Sequence, residues 1–162
     1  MVSNPSPRVF LDTNVLFSGF YSPKGAPGRI LQAWVSGSIS IIVSRQVLDE
    51  LVRTIKQKQP SAIPLLKELL MNAPPEIQAD PSAHEVEEWT DQLQFADAAI
   101  IAAALKAGVD YFVTGDKHFT GNPDVARKSG LCIVSPTQFV KQWRSFPARK
   151  RIVSRTRPLC RP

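Results

Sequence analysis

Four acidic positions stand out by what surrounds them. Asp12 ends a short apolar run, Arg8-Val9-Phe10-Leu11. Asp97 precedes an alanine-rich run from Ala98 to Leu105. Asp116 follows Tyr111-Phe112-Val113-Thr114-Gly115, and Asp49-Glu50 lies in a stretch with helical periodicity. Each has an ordinary explanation. Asp12 and Asp97 suit helix N-caps, Asp116 suits a turn, and Asp49 and Glu50 suit a solvated helix edge. The periodicity does not choose between Asp49 and Glu50. What argues for a site is joint placement: carboxylates gathered at one rim repel and need a cation to hold them. All-oxygen ligands favour Mg²⁺ or Mn²⁺.

The surrounding elements must bring these acids together. Residues 8–11, 39–44, 111–114 and 131–135 read as short buried strands. Between them lie helical stretches. One begins at Val15-Leu16-Phe17, and a second holds Ile30, Leu31, Ala33 and Trp34. Residues 46–57 place Val47, Leu48, Leu51, Val52 and Ile55 on one face. Others cover 63–71, the alanine-rich run after Asp97, 122–130, and a closing stretch from Pro136 through Trp143. Gly108 is placed to stop the alanine-rich helix in the left-handed conformation. Residues 76–94 read less clearly, with Glu85 to Trp89 either a short acidic helix or a loop edge. Strands alternating with helices imply a parallel sheet covered on both faces, a three-layer α/β/α sandwich. Ligands of such folds bind beyond the carboxyl ends of the strands, near a reversal in strand order. Asp12 and Asp116 are expected at two such ends.

At 162 residues and 43 % apolar content the chain suits one domain with a real core. The net charge of +6 is uneven. Residues 1–146 are close to neutral, whereas 147–162 carry Arg149, Lys150, Arg151, Arg155, Arg157 and Arg161 with no acid. That tail is expected to be disordered and to attract polyanions, or to be a solubilising end. Cys132 and Cys160 are too few for a disulfide framework, so a reducing compartment, the cytoplasm, is expected. No signal peptide is apparent. No apolar stretch nears the about 18 residues of a membrane span.

Four segments together resemble the PIN-domain ribonuclease family: Asp12-Thr13-Asn14-Val15-Leu16, Val47-Leu48-Asp49-Glu50-Leu51, Asp97 to Ala104, and Thr114-Gly115-Asp116. The resemblance runs over residues 8–143 and is nearest to the prokaryotic PIN proteins that act as toxins of toxin–antitoxin pairs. It implies a PIN-like α/β fold and a catalytic quartet of Asp12, Glu50, Asp97 and Asp116. It prefers Glu50 to Asp49 because the glutamate precedes the leucine. It implies Mg²⁺ or Mn²⁺ held by Asp12, Asp97 and Asp116, with Asn14 and Thr114 in supporting positions. Where many relatives carry a further acid before the third aspartate, this chain has Phe95-Ala96.

The implied activity is metal-dependent endonucleolytic hydrolysis of single-stranded RNA. The implied partners are RNA, a second copy of the chain, and an antitoxin protein. Lys117, Arg45 and Lys24 are candidate phosphate contacts near the rim. His118 is expected as a plain loop histidine, and with only His84 and His118 present a zinc site is not expected. Trp34, Trp89 and Trp143 are expected in packing. At least one of the crowded acids should titrate high in the metal-free protein. Two other readings remain. One is a PIN module that binds RNA or protein without cutting. The other is a haloacid-dehalogenase-like phosphatase, for which Asn14 stands where a second aspartate is wanted.

Overall fold

A computed structural model of the chain describes residues 6–145. The basic tail and the domain boundary at 146 lie outside the described residues. Five strands form one parallel sheet: β1 (Arg8–Leu11), β2 (Ser40–Ser44), β3 (Glu76–Gln78), β4 (Tyr111–Val113) and β5 (Ile133–Val134). Their order across the sheet is β3-β2-β1-β4-β5. Phe10 stands in register with Ile42 on one side and Phe112 on the other.

Nine α-helices occur among the described residues: α1 (Thr13–Tyr21), α2 (Ala26–Val35), α3 (Arg45–Lys58), α4 (Ile63–Asn72), α5 (Ala83–Glu87), α6 (Phe95–Ala107), α7 (Lys117–Thr120), α8 (Pro123–Ser129) and α9 (Pro136–Ser145). Parallel strands joined by right-handed crossovers fix where they go. The chain steps outward from β1 to β2 to β3, which puts α1–α4 on one face. It then returns past β1 to β4 and β5, which puts α5–α8 on the other. Val9, Phe10 and Leu11 are all fully buried, although neighbours in a strand point to opposite faces. Both faces are therefore covered, as the expected α/β/α sandwich requires.

The strand order reverses between β1 and β4, so the crevice lies past Leu11 and Val113. There the ring of Phe112 meets Phe10 edge-on at 5.5 Å and Phe119 of α7 at 5.1 Å. These contacts anchor a helix of only four residues that could not hold itself. Gly108 ends α6 at φ 62°, a conformation open to glycine. Trp34 and Trp89 are buried and Trp143 stacks on Phe139.

Several details depart from the sequence reading. β3 has no counterpart in it. It is a short edge strand with polar ends, held to the sheet where the Arg8 guanidinium reaches both oxygens of Glu76 at 2.7 and 3.1 Å. α5 begins earlier than expected, with a capping box between Ser82 and Glu85. α6 starts at Phe95 with Gln94 as its N-cap, so Asp97 lies in the first turn rather than at the cap. Cys132 is buried. Cys160 lies outside the described residues. No described helix is long and apolar enough to cross a membrane.

Candidate metal-binding active site

Each acid arrives at the rim on its own element. Asp12 leaves the end of β1 and caps α1, its Oδ1 accepting the Thr13 amide at 2.7 Å. Its Oδ2 accepts the Thr114 hydroxyl at 2.7 Å, and that hydroxyl accepts the Asp116 amide at 3.0 Å. Asp116 caps α7 by accepting the His118 amide at 2.9 Å. Asn14 Oδ1 accepts the Gly115 amide at 3.1 Å, which pins the start of α1 to the turn after β4. Asn14 and Thr114 thus tie the β1 and β4 ends together.

Glu50 comes from α3. Its Oε2 accepts the hydroxyl of Thr13, a buried residue that sequence reading passed over, at 3.2 Å. This interaction separates the acids that periodicity could not. Glu50 lines a cleft with Asp12 and also a neighbouring depression with Asp49, Arg45, Arg53 and Asp80, whereas Asp49 lines the depression and not the cleft. The shared cleft encloses about 320 Å³ and is lined by Asp12, Glu50, Asp97 and Asp116 among others.

Burial pushes the Asp12 carboxyl up to about 6, against the stabilising hydrogen bonds from Thr114 and Thr13 and with further upward pressure from Glu50 and Asp116. One acid in the group titrates high, but burial contributes more to that than crowding does.

His118 is the main surprise. It sits in α7 rather than in a loop, and its Nδ1 lies 3.2 Å from Asp97 Oδ2 and 3.5 Å from Asp116 Oδ1. Asp97, Asp116 and His118 each offer a ligand atom within 4.8 Å of the others. Asp12 and Glu50 stand outside that tight group, although Asp12 was expected in the metal set and Asp97 and Asp116 with it. The readable signal for His118 was its place two residues after Asp116, in the first turn of a helix if one starts there. Two carboxylates and an imidazole fit Mn²⁺ at least as well as Mg²⁺.

The expected phosphate contacts fare differently. Lys117 lines a depression beside Asp97 and His118, and Arg45 lines the one with Asp49. Lys24 does not line the acidic cleft. Instead Lys58, one of the residues sequence reading missed, does so.

Acids from four elements gather around the switch point of this sheet, and residues 8–118 match the family described as PIN domain. The chain belongs to that family. This PIN domain is similar in fold to PAE2754 from Pyrobaculum aerophilum, at 15% identity and TM-score 0.61, covering 86% of this chain and 91% of that one. It is also similar to VapBC2 from Rickettsia felis, solved bound to a DNA fragment from their promoter, at 18% identity and TM-score 0.58, covering 79% and 98%. A third similar structure is FitAcB from Neisseria gonorrhoeae, at 16% identity and TM-score 0.54, covering 80% and 98%. No curated protein matches the sequence.

Proposed function

We propose that this PIN domain is a divalent-metal-dependent endoribonuclease acting on single-stranded RNA. The observation that carries the reading is the cleft itself. Asp12, Glu50, Asp97 and Asp116 line it together, and no Arg or Lys forms an ion pair with any of them among the described residues. Such a charge group is built to be completed by a cation.

Asp97 and Asp116, with His118 beside them, would hold Mg²⁺ or Mn²⁺. When bound, the metal supplies a water of lowered pKa and polarises the phosphate. Asp12 lies behind them, both oxygens engaged, where its charge adds to the field and its contact with Thr114 orients the Asp116 backbone. Glu50, held by Thr13 and lining the open cleft, would accept a proton from the attacking water. That buried and doubly bonded Asp12 is a poor nucleophile, and Asn14 is committed to Gly115. Both facts argue against the phosphatase reading, which needs an exposed Asp12 and an acid at position 14.

The resemblance to prokaryotic PIN toxins, and the fold shared with VapBC2 and FitAcB, support a toxin role with an antitoxin protein as partner. They also support a cytoplasmic setting and self-association. The test is incubation of full-length protein with single-stranded RNA, single-stranded DNA and a small phosphate ester, with Mg²⁺, Mn²⁺ or chelator. Metal-dependent cleavage of RNA alone supports the reading. RNA bound but uncut with either metal supports a non-catalytic module, and turnover of the ester alone a phosphatase.

A further inference from the structure

The acidic cleft does not stop at the acids. It continues between α1 and α3, where α3 contributes Gln46, Glu50, Thr54 and Lys58, spaced one turn apart along one side of the helix. Phe17 of α1 lines the opposite wall. Lys58 is the one cation among the lining residues, and no ion pair among the described residues uses it. Its ammonium lies 5.7 Å from the centroid of the Phe17 ring. Tyr21 stacks on Phe17 at 6.1 Å with the planes 21° apart, and is 71% exposed. An exposed tyrosine ring and a lysine without an ion-pair partner among the described residues therefore both lie against Phe17, at the distal end of a cleft whose other end is anionic.

We propose that Tyr21, Phe17 and Lys58 form a nucleotide subsite for the RNA substrate, in which the aromatic pair stacks a base and Lys58 holds a phosphate. This rests on the ribonuclease reading above. A strand whose scissile phosphate sits at the acids meets repulsion from every other charged side chain lining the cleft, so among the described residues attraction comes from Lys58, beside that of the metal. Aromatic stacking supplies sequence-tolerant affinity for single strands. The distance also fits. Eight residues of α3 separate Glu50 from Lys58, about 12 Å along the helix. Successive phosphates of a stacked strand advance by about 3.4 Å, so Lys58 meets a phosphate about three or four nucleotides from the cut. A helical peptide is the rival occupant, but it needs a row of apolar anchors. Among the described residues the apolar lining consists of Phe17, Ala96 and Ile100.

The test measures binding of a dinucleotide and of a single-stranded oligoribonucleotide of about eight residues to the full chain carrying Asp116→Asn, which prevents cleavage. Lys58→Ala and Tyr21→Leu are each added to it. Both should weaken binding of the longer RNA by about 5- to 10-fold, and so shrink the gain in affinity from dinucleotide to oligomer. Lys58→Ala should also flatten the dependence of log affinity on log salt by about 0.7, the single-strand value for one phosphate. Tyr21→Leu should leave that slope alone, and Tyr21→Phe, which keeps the ring, should bind like the parent. Lys56→Ala removes a neighbouring charge from the last turn of α3 outside the cleft and should change little. Unchanged RNA binding in Lys58→Ala and Tyr21→Leu, in a protein that cleaves RNA with its acids intact, would overturn the subsite and leave the ribonuclease standing. An equal loss in Lys56→Ala would also overturn it, since the effect would then be diffuse charge. If the chain neither binds nor cuts RNA, both readings fall together.

Discussion

The two ends of the parallel sheet treat carboxylates in opposite ways. At the amino end, Arg8 forks onto Glu76 and also donates to the Ala107 carbonyl, while its own amide donates to Asp110 at 2.8 Å. Every charge there has a partner within the chain. At the carboxyl end, among the described residues, Asp12, Glu50, Asp97 and Asp116 share a cleft with a single lysine, and only a histidine is close enough to pair. One strand, β1, runs between the two clusters. Acids are thus paired within the chain at one end of the sheet and left uncompensated by Lys or Arg ion pairs among the described residues at the other, where the proposed metal would complete them.

The largest expected effect breaks the carboxyl end outright. Asp116→Asn or Asp97→Asn should lower metal-dependent RNA cleavage by more than about 100-fold, because outer-shell partners alone are worth about 10- to 100-fold. Circular dichroism should show an unchanged fold. Full activity in Asp116→Asn would remove the basis for the site, while Asp49→Asn should cleave like the parent.

Next comes pH, where the two ends should respond with opposite sign. The folded Asp12 carboxyl titrates near about 6, above its ordinary 3.8. The native state therefore binds this proton more tightly than the unfolded chain does. The stability it contributes is full below pH 3.8, is lost as pH rises through 6, and stays lost above that. In metal-free protein the fall should be on the order of 2–3 kcal/mol, and Asp12→Asn should abolish it. Denaturant midpoints across pH measure this, and a slope of the same size in Asp12→Asn would assign it to another group.

Metal should sharpen the contrast further. At a hundredfold excess over its dissociation constant, Mn²⁺ should stabilise the protein by about 2.7 kcal/mol. Thermal melts of wild type and of Asp97→Asn should show the rise only in the first. His118→Ala decides whether the imidazole is a ligand or a stand-in cation. If it is a ligand, as the tight group suggests, the variant binds Mn²⁺ more weakly by calorimetry. Tighter binding would mean that protonated His118 competes with the metal.

The smallest effect belongs to the amino end. Arg8 holds the Glu76 carboxyl below its usual value, chiefly through their hydrogen bond. Stability from this pair is therefore present above the ordinary glutamate value and lost as pH falls. The pair is exposed, so Glu76→Gln should cost only about 0–1 kcal/mol and leave metal binding untouched. A loss of Mn²⁺ affinity in this variant would mean that the two ends are coupled through β1.

The strands that carry the carboxyl-end acids were legible in the sequence. The runs at Val9-Phe10-Leu11 and Tyr111-Phe112-Val113 are buried on both faces, and continuous apolar character is how such strands read. β3 was not legible, because three residues of an edge strand with polar ends carry no periodic signal, and its place depends on backbone pairing with β2, aided by Arg8, both distant in sequence. The capping box of Ser82 and Glu85 was present to be read. The start of α6 was misplaced by treating Asp97 as a cap, since aspartate is favoured both at the cap and in the first turn.

By itself the sequence determined which residues could become buried strands, where those strands hand over to helices, and hence that Asp12 and Asp116 would emerge at strand ends. These are local properties of hydrophobic pattern and capping, written in consecutive residues. Only the tertiary structure decided that Glu50 rather than Asp49 enters the cleft, that His118 turns toward Asp97, and that Lys58 lies along the same groove as the acids. Those outcomes depend on the crossing of α3 over α1 and on the ring of Phe119 seated against Phe112. Side chains distant in sequence meet there because packing leaves one arrangement, and no window of neighbouring residues contains that information.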